Sequence, residues 1–321
     1  MIHKIGVLTS GGDSPGMNAA IRGVTRYALD KGLAVEGIPR GYEGLLREES
    51  IPLERRSVGE IIHRGGTMLK TARSEEFKQP EAQRRAVDFL RSRDIDGLVV
   101  IGGDGSMKGA EQLGKLGMPT ITIPGTIDND MAGTEYTIGF DTAVNTVLDS
   151  VNRIRDTAYS HDRVAVIEVM GRHAGFIALH AGIACGAEIV LIPEKEVTLQ
   201  EVCDRLVESH RQNKMNSIVI VAEGYMEGSS VYQYIKDHTQ DMNPSLTSLG
   251  YIQRGGSPTA KDIMMASLFA QKAVESLMAG VNDAIVGWMH CAVVATPYAE
   301  AGKYKFGISE NMYNLVHILG K

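Results

Sequence analysis

Residues 97–106 have the sequence Gly97-Leu-Val-Val-Ile101 followed by Gly102-Gly-Asp-Gly-Ser106, and this stretch indicates the fold class. Its first half is continuously apolar, which is typical of a strand buried on both faces of a parallel sheet. In the second half, three glycines let the backbone approach a ligand closely, and Asp104 offers a carboxylate to Mg²⁺, a cation that prefers oxygen ligands and phosphates. The alternative for this half is a glycine-rich turn closed by an Asx hydrogen bond.

A second glycine loop, near the N-terminus, also follows a predicted strand. Ile5–Thr9 is predicted as a strand, Ser10–Gly16 as a loop and Met17–Lys31 as a helix. In this order, backbone N–H groups and the helix N-terminus face an anion such as phosphate. The loop has neither the G-x-G-x-x-G nor the G-x-x-x-x-G-K-[ST] spacing, so it matches no standard nucleotide fingerprint.

Strands and helices alternate through the rest of the chain. A helix is predicted from near Asp141, because apolar residues between 144 and 154 recur with helical spacing, and another over Leu199–Gln212. Further strands, each followed by polar or glycine residues, are predicted at Val164–Val169, Glu188–Ile192 and Ser217–Ala222. The alternation predicts an α/β protein with mainly parallel sheets, in which ligands bind outside the carboxyl ends of the strands.

The loop Pro124-Gly-Thr-Ile-Asp-Asn-Asp130 follows Pro119-Thr-Ile-Thr-Ile123, a run that is predicted as a short strand because β-branched residues dominate it. Taken alone the loop is a solvated turn, because Asp, Asn, Gly and Pro all favour turns. However, polar and glycine residues cluster at the carboxyl ends of several predicted strands, whereas chance would scatter them over both ends. We therefore predict a shared active cleft in which Asp128 and Asp130 serve different tasks.

The composition is that of an ordinary globular protein, with 43% hydrophobic and 22% charged residues in a chain of 321, enough for about two domains. The formal charge of −6 provides no general basic field for nucleic acid, so a phosphate ligand must be held by local Arg, Lys or metal. No apolar run approaches the ~20 residues of a membrane span, and the N-terminus leads into a strand rather than a signal sequence. We expect a cytoplasmic protein that binds small molecules, without nucleic acid or membrane as partners.

The cysteine and histidine patterns argue against disulfide bonds and zinc sites. Cys185, Cys203 and Cys291 are odd in number and lack C-x-x-C spacing, and the nine His include no H-E-x-x-H pair, so neither disulfides nor zinc are predicted. The chain has the groups that a phosphoryl-transfer site requires: glycine loops, arginines, Asp104 as a ligand for Mg²⁺, and a further carboxylate. Catalysis of this reaction depends mostly on positioning and charge stabilisation. An oxidoreductase is the weaker interpretation, because the Rossmann fingerprint with its downstream acid is absent.

Several motifs, taken jointly, make the chain resemble the bacterial ATP-dependent 6-phosphofructokinase family from the N-terminus to about residue 290. The motifs are Leu8–Asp13, Gly102–Ser106, Pro124–Asp130, Met170–Arg172 and Gln253–Pro258. The resemblance implies a glycolytic phosphotransferase with an alcohol acceptor, which moves the γ-phosphoryl group of ATP to the 1-hydroxyl of fructose 6-phosphate. No motif is placed from Val293 onward.

The resemblance also implies two Rossmann-like three-layer α/β/α domains with the active site in the cleft between them. The larger, ATP-binding domain is expected over residues 1–138 plus about 252–300, and the smaller, sugar-phosphate-binding domain over 139–251 plus about 301–321. A homotetramer is implied, in which Arg163 reaches the sugar phosphate of a neighbouring subunit.

Residue roles follow from the same resemblance. Asp128 is the implied base, Thr126 steadies the moving phosphoryl group, and Arg172 stabilises the transition-state charge. Asp104 holds Mg²⁺, and Asp130 assists the metal and the base. The residues implied to bind ATP are Gly12, Tyr42, Arg73, Gly103, Asp104, Gly105 and Ser106. Those implied to bind the sugar phosphate are Thr126, Ile127, Asp128, Arg163, Met170, Gly171, Arg172, Glu223, Tyr251 and Arg254.

Two glycines bear on the choice of phosphoryl donor. Relatives that use pyrophosphate typically carry Asp in place of Gly105 and Lys in place of Gly125. A carboxylate at the first position would repel the α-phosphate of ATP, and a lysine at the second would replace charge contacts that the nucleotide supplies. Glycine at both positions favours ATP, and a pyrophosphate enzyme that tolerates glycine is the alternative.

The chain departs from the family pattern around the sugar 6-phosphate. Ser245 and Tyr251 stand where the family has an Arg and a His, and Ile263 stands where relatives usually have Arg. A phosphate that loses an Arg loses a charge-assisted hydrogen bond of about 1.5–3 kcal/mol. We expect weak binding of fructose 6-phosphate with the phosphoryl-transfer chemistry retained.

An effector pocket for ADP or phosphoenolpyruvate is matched in part. Its implied residues are Arg22, Arg26, Arg55, Arg155, Gly186, Glu188 and Lys214, whereas Gln212 and Asn213 replace a basic residue and a glycine. Allosteric control is therefore expected in a blunted form. Two alternatives to the kinase remain at this point: a catalytically weak regulatory or sensor subunit that binds both substrates, and a kinase for a related phosphosugar.

Overall fold

The computed structural model describes residues 2–212, 214–239 and 242–320, which fall into two compact units. Unit 1 comprises Met1–Thr142 and Arg254–Phe306, and unit 2 comprises Ala143–Gln253 and Gly307–Lys321. Each unit is formed by two separate segments of the chain. The predicted α/β class with mainly parallel sheets is confirmed by the strand pairing within both units.

The secondary structure alternates as expected from the sequence. The strands of the described residues are β1 Lys4–Ser10, β2 Ala34–Ile38, β3 Ile51–Pro52, β4 Gly97–Gly102, β5 Thr120–Thr126, β6 Ile138–Gly139, β7 Arg163–Val169, β8 Ile189–Leu191, β9 Ser217–Ala222, β10 Asn243–Ser248, β11 Ala284–Met289 and β12 Ala292–Pro297. The α-helices are α1 Met17–Asp30, α2 Tyr42–Leu46, α3 Pro80–Ser92, α4 Asp104–Lys115, α5 Phe140–Ser160, α6 Phe176–Cys185, α7 Leu199–Arg211, α8 Gly228–His238, α9 Ala260–Met278, α10 Tyr298–Ala301 and α11 Glu310–Leu319. None of these helices is long and apolar enough to cross a membrane.

The sheet of unit 1 has the strand order β12-β11-β5-β4-β1-β2-β3, with β6 paired to the end of β5. All six residues of β4 are buried, as its continuous apolar run predicts for an inner parallel strand. The end strands β3 and β12 pair antiparallel with their neighbours, and the inner pairs are parallel. The carboxyl ends of β1, β4 and β5 therefore lie side by side, so their loops form one edge of the unit.

Two boundaries near this edge differ from the sequence-based prediction. Pro124-Gly-Thr126 was expected to be a turn, but it continues β5, because Pro124 is in register with Gly102 and β6 pairs with the two residues after it. Gly102-Gly-Asp-Gly-Ser106 is not one loop either, since β4 ends at its first residue and α4 begins at Asp104. The candidate ligand groups thus sit on a strand end and a helix start, which hold side chains more firmly than a turn would.

The sheet of unit 2 has the order β10-β7-β9-β8, and all its pairs are parallel. Its core is formed by alternate residues of these strands, such as Val164, Val166 and Val219. Strand β10 was not predicted, because Pro244 and few apolar residues obscure it. As an edge strand it tolerates a proline, since one side of its backbone needs no sheet partner.

Candidate functional site

The loop after β5 is held on two sides. Asp128 is only 3% exposed, and its backbone N–H donates to Thr126 Oγ1 over 3.2 Å. Asn129 has a φ of +52°, and its Oδ1 accepts the backbone N–H of Thr137 at 2.8 Å. The Thr137 hydroxyl in turn donates to the Thr126 carbonyl oxygen at 2.7 Å. The loop therefore presents a largely buried carboxylate beside a hydroxyl, an arrangement suited to taking a proton from a bound alcohol.

The neighbours of Asp128 have different environments. Thr126 and Asp130 are partly exposed, so both side chains are accessible to a ligand. The Ile127 side chain is fully buried, so a ligand can reach this residue only through its backbone. The sugar-binding role implied for Ile127 is thereby restricted to its peptide groups.

The glycine cluster at the start of α4 fits a phosphate. Gly103 precedes the helix, whose first residue is Asp104, so backbone N–H groups of the first turn are directed outward. A Cβ at Gly102 would lie 2.4 Å from the Ser10 carbonyl oxygen, which requires glycine there. A Cβ at Gly105 would meet nothing within 4 Å, so the space beside this residue is open.

Asp104 lies at the same helix start and carries the implied metal role. Its carboxylate is 46% exposed, and Lys108 Nζ lies 2.7 Å from its Oδ2. Hydrogen bonding and charge from Asp104 raise the pKa of Lys108. The carboxylate is therefore accessible to a ligand, and the Lys108 ammonium group is its neighbour on the helix.

Tyr42 is a buried residue that contacts the first turn of α4. Its ring is 6% exposed and stacks on Phe77 with centroids 4.1 Å apart. Its hydroxyl donates to the Ser106 carbonyl oxygen. Tyr42, which was implied to bind ATP, thus stabilises the glycine cluster from a buried position. Arg73, implied to bind the same ligand, has an exposed side chain.

The N-terminal glycine loop brings together two residues with different implied ligands. Arg254 Nη1 donates to the Asp13 carbonyl oxygen over 3.2 Å. A Cβ at Gly12 would lie 2.4 Å from the same nitrogen. Gly12 was implied to bind ATP and Arg254 the sugar phosphate, and within unit 1 they are direct neighbours.

In unit 2, the turn after β7 is backbone-strained. Gly171 has a φ of +144° and Arg172 a φ of +53°, which costs a non-glycine residue roughly 1–3 kcal/mol. Glu223 Oε1 offsets this cost by accepting the N–H groups of Gly171 at 3.2 Å and of Arg172 at 2.8 Å. Glu223 therefore fixes the backbone at Arg172, whose side chain is exposed, and no sequence pattern indicated this role.

A cavity of about 210 Å³ lies at the carboxyl ends of β7, β9 and β10. It is lined by Glu168, Val169, Met170, Glu223, Ser248, Gly250 and Tyr251. Three of these, Met170, Glu223 and Tyr251, were implied to bind the sugar phosphate. Among the described residues that line the cavity there are two carboxylates and no Lys or Arg.

The structure does not bring every implied sugar-phosphate residue to this cavity. Arg163 begins β7, whereas the cavity lies beyond Val169 at the other end, a distance of about 20 Å at ~3.3 Å per residue. Ser245 is in register with Ala165, also towards the amino end of the sheet. Arg163 Nε is buried without a hydrogen-bond partner among the described residues.

The implied effector residues divide between the two units. In unit 1, Arg22 and Arg26 lie four apart on α1, and their Nε atoms are buried without hydrogen-bond partners among the described residues. Burial, followed by the charge of Arg26, lowers the pKa of Arg22. Arg26 Nη2 also donates to the Arg55 carbonyl oxygen at 3.4 Å. These three arginines form one cluster.

A second cluster lies in unit 2. Lys214 Nζ is 2.7 Å from Glu188 Oε1 and donates to the Gly320 carbonyl oxygen at 2.8 Å. Arg155 Nη2 donates to the Cys185 carbonyl oxygen, next to Gly186, which ends α6 with a φ of +64°. Gln212 bonds Glu208 on α7, and Asn213 lies outside the described residues.

Comparison with known proteins identifies the family. The phosphofructokinase family profile matches residues 4–277. The chain is 51% identical over 318 residues to a protein of Clostridium novyi named ATP-dependent 6-phosphofructokinase, covering 99% of both chains. It is 49% identical over 320 residues to the protein of that name from Clostridium botulinum (strain Hall), covering 100% of both.

A solved structure agrees with these relatives. Phosphofructokinase from Saccharomyces cerevisiae superposes with a TM-score of 0.88 at 34% identity, over 99% of this chain. This chain spans about half of the yeast chain, 48% of its length. From its full-length relatives, its fold and the loops assembled at its strand ends, we conclude that the chain belongs to the phosphofructokinase family.

Proposed function

We propose that the protein is an ATP-dependent 6-phosphofructokinase, which transfers the γ-phosphoryl group of ATP to the 1-hydroxyl of fructose 6-phosphate and yields fructose 1,6-bisphosphate and ADP. The observation that carries the proposal is the buried Asp128 carboxylate beside the Thr126 hydroxyl, in a chain about half identical to full-length relatives of that name. These relatives favour neither the sensor subunit nor a kinase for another phosphosugar.

The proposed roles follow the charge that phosphoryl transfer develops. Asp128 takes the proton from the attacking hydroxyl, and Thr126 donates a hydrogen bond to the moving phosphoryl group. Arg172, held by Glu223 through its backbone, offers its guanidinium to the transition-state charge. Asp130, in the same loop, assists the metal ion and the base.

We assign the two ligands to the two units. Unit 1 carries the glycine loop, the start of α4 and the loop after β5, which suit the phosphates of ATP. Unit 2 carries the cavity lined by Met170, Glu223 and Tyr251, which suits the hydroxyl groups of a sugar.

Asp104 is the proposed protein ligand of Mg²⁺. The ion commonly takes one or two carboxylates and completes its shell with water and substrate phosphates, so one accessible carboxylate at a nucleotide site fits it. Among the described residues, no group of three or more His, Cys, Asp or Glu could hold a metal ion. When bound, the ion would neutralise phosphate charge at the start of α4.

A homotetramer in the cytoplasm is the proposed assembly and location. Within one chain, Arg163 lies about 20 Å along β7 from the cavity at ~3.3 Å per residue. This separation supports a role for Arg163 at the sugar phosphate of a neighbouring subunit. The effector residues likewise include a cluster in each unit, and we propose that residues of neighbouring subunits complete the effector pocket.

A coupled assay of ADP release tests the proposed function. Purified protein with ATP, Mg²⁺ and fructose 6-phosphate is expected to turn over, and to need a high concentration of the sugar phosphate. The same assay run beside the C. novyi relative supplies the reference. Absence of turnover at any sugar concentration would refute the proposal, and faster turnover with another phosphosugar would change its acceptor.

The weak 6-phosphate site is expected to be repaired by Ser245→Arg with Tyr251→His. Ser245 lies towards the amino end of the sheet, as Arg163 does, so its side chain is proposed to act at the sugar phosphate of a neighbouring subunit. The KM for fructose 6-phosphate should fall by about 10- to 100-fold, because charged hydrogen bonds of ~1.5–3 kcal/mol return. Neither change disturbs packing, since Tyr251 is 84% exposed and Ser245 lies on the edge strand β10. Ser245→Ala with Tyr251→Phe is the control. The prediction would be contradicted if the unmodified protein had a KM for fructose 6-phosphate as low as that of the C. novyi relative.

The arginine cluster on α1 is expected to carry the response to effectors. At subsaturating fructose 6-phosphate, Arg22→Ala should weaken the apparent affinity for ADP and phosphoenolpyruvate by about 10- to 100-fold, since one charged hydrogen bond to phosphate is lost. Arg84→Ala removes an exposed arginine on α3 and is the matched control. A rate that responds to neither effector in the unmodified protein would remove this pocket from the proposal.

A further inference from the structure

We propose that Asp262 is a positioning residue for phosphoryl transfer. Its buried carboxylate fixes the segment Tyr136–Thr142, and through that segment the loop Thr126–Asp128. The inference rests on the proposed function of this loop. It adds a residue of unit 1 that touches neither substrate and acts through backbone geometry.

The Asp262 carboxylate is fully buried and surrounded by donors. Oδ1 accepts the Tyr136 hydroxyl at 2.6 Å and the Gly139 N–H at 2.8 Å. Oδ2 accepts the Thr142 N–H at 2.9 Å and the Thr142 hydroxyl at 2.5 Å. Each oxygen thus accepts two hydrogen bonds, which is the full capacity of an ionised carboxylate.

The carboxylate is also tied to the start of its own helix. Asp262 lies in the first turn of α9, and its N–H donates to the hydroxyl of the N-cap residue Thr259 at 3.3 Å. The Thr259 N–H donates to the Thr142 hydroxyl at 2.9 Å. The Thr142 hydroxyl is therefore shared by two residues of the helix start, which joins the start of α5 to the start of α9.

The segment held by Asp262 is the one that supports the reacting loop. Strand β6 pairs with β5 so that Gly139 is in register with Thr126. On the same segment, the Thr137 hydroxyl donates to the Thr126 carbonyl oxygen, and the Thr137 N–H donates to Asn129 Oδ1. A shift of β6 would therefore move the residues on both sides of Asp128.

The N-terminal glycine loop packs on this segment as well. A Cβ at Gly16 would lie 2.5 Å from Ile138 Cγ2 and 3.6 Å from Asp262 Cβ. A Cβ at Gly139 would lie 2.6 Å from Ser14 Cβ. The two loops proposed to face the phosphates thus share one support, and this support is anchored by Asp262.

Helix stability alone does not account for this carboxylate. An acidic residue in the first helical turn stabilises the helix equally well at the surface, whereas burial opposes its charge. Burial raises the pKa of Asp262, and hydrogen bonds from Thr142 and Tyr136 oppose that shift. A buried, four-fold bonded acid therefore serves the groups that it holds in place.

The test is Asp262→Asn, which keeps the shape but puts an amide donor against groups that also donate. We expect kcat to fall on the order of 10- to 100-fold, the effect of displacing reacting groups by up to ~1 Å. The KM values should change far less, because the variant alters transition-state geometry more than ground-state binding. Thr142→Val should lower kcat in the same direction, and Thr142→Ser, which keeps the hydroxyl, should restore it.

Val274→Ala is the matched control for stability. Val274 is fully buried on the same helix, about 18 Å along it from Asp262 at ~1.5 Å per residue, so its truncation weakens α9 without touching β6. If Asp262→Asn lowers the melting temperature as Val274→Ala does but leaves kcat equal to that of the control, the positioning role is refuted. If Asp262→Asn does not fold, the Thr142→Val and Thr142→Ser pair decides by the same criterion.

A parallel measurement separates this inference from the proposed function. Asp128→Asn tests the function of the loop directly. If Asp128→Asn lowers kcat as a lost general base should and Asp262→Asn does not reduce kcat below the control, only the inference fails. If Asp128→Asn leaves the activity unchanged, the proposed role of the loop fails and the inference fails with it, whereas absence of turnover in the unmodified protein would refute the proposed function itself.

Discussion

Replacement of Asp128 by Asn is expected to lower kcat by about 10²- to 10⁴-fold, the usual contribution of a general base. The amide has the size of the carboxylate but cannot accept the proton of the attacking hydroxyl. Because Asp128 is only 3% exposed, a base from solution has little access to its position and does not replace it. The measurement is kcat in the coupled assay at saturating ATP, Mg²⁺ and fructose 6-phosphate, with circular dichroism to confirm folding.

Two further acids control this result. Asp88→Asn alters an exposed acid on α3 and should leave kcat unchanged. Asp130→Asn should lower kcat less than Asp128→Asn does, because its proposed role is to assist. If Asp130→Asn has the larger effect, the base has been assigned to the wrong carboxylate of the loop.

Gly105→Asp is expected to reduce kcat/KM for ATP by about 1,000-fold while the protein stays folded. Two unit charges ~4 Å apart near a protein surface repel by about 4 kcal/mol, which corresponds to that factor. The substitution meets no steric obstacle, since a Cβ at Gly105 has nothing within 4 Å. An acid in the first turn of α4 also interacts favourably with the helix dipole, so stability should rise slightly as activity falls.

Gly105→Ala is the matched control, because it adds a Cβ without a charge. Loss of activity in both variants would show that bulk rather than charge is excluded, and full activity in Gly105→Asp would remove this residue from the choice of donor. Gly125 is a less suitable position for the test. A Cβ there would lie 3.1 Å from Ile101 Cγ2 and 3.3 Å from Met17 Cε, so a lysine would disturb the packing of β4 and α1.

The strands and helices near the site could be predicted closely from the sequence. The apolar run 97–101 became β4, and Met17–Lys31 became α1 with its end one residue earlier. Such elements are readable because apolar spacing is imposed locally by the period of a helix or strand. The edge strand β10 was missed because it is held by its pairing with β7 rather than by its own apolar pattern.

The roles of several side chains could not be predicted, since they depend on contacts between distant parts of the chain. Tyr42 was implied to bind ATP, and the structure shows in addition that its ring stacks on Phe77 and its hydroxyl donates to the Ser106 carbonyl oxygen. Glu223 was implied to touch the sugar, and its carboxylate also fixes the turn at Arg172. A motif identifies which residue types occur together, but it does not show which atom of each faces the ligand.

For this protein, the amino-acid sequence alone determined the α/β class and placed polar and glycine residues at the carboxyl ends of several strands, because apolar periodicity and short motifs are local properties. The extension of β5 through Thr126 and the tie from Asp262 to Gly139 became visible only in the folded chain. A buried carboxylate must find its donors, and these donors lie more than 100 positions away in the sequence. Folding supplies that proximity, and with it the geometry on which phosphoryl transfer depends.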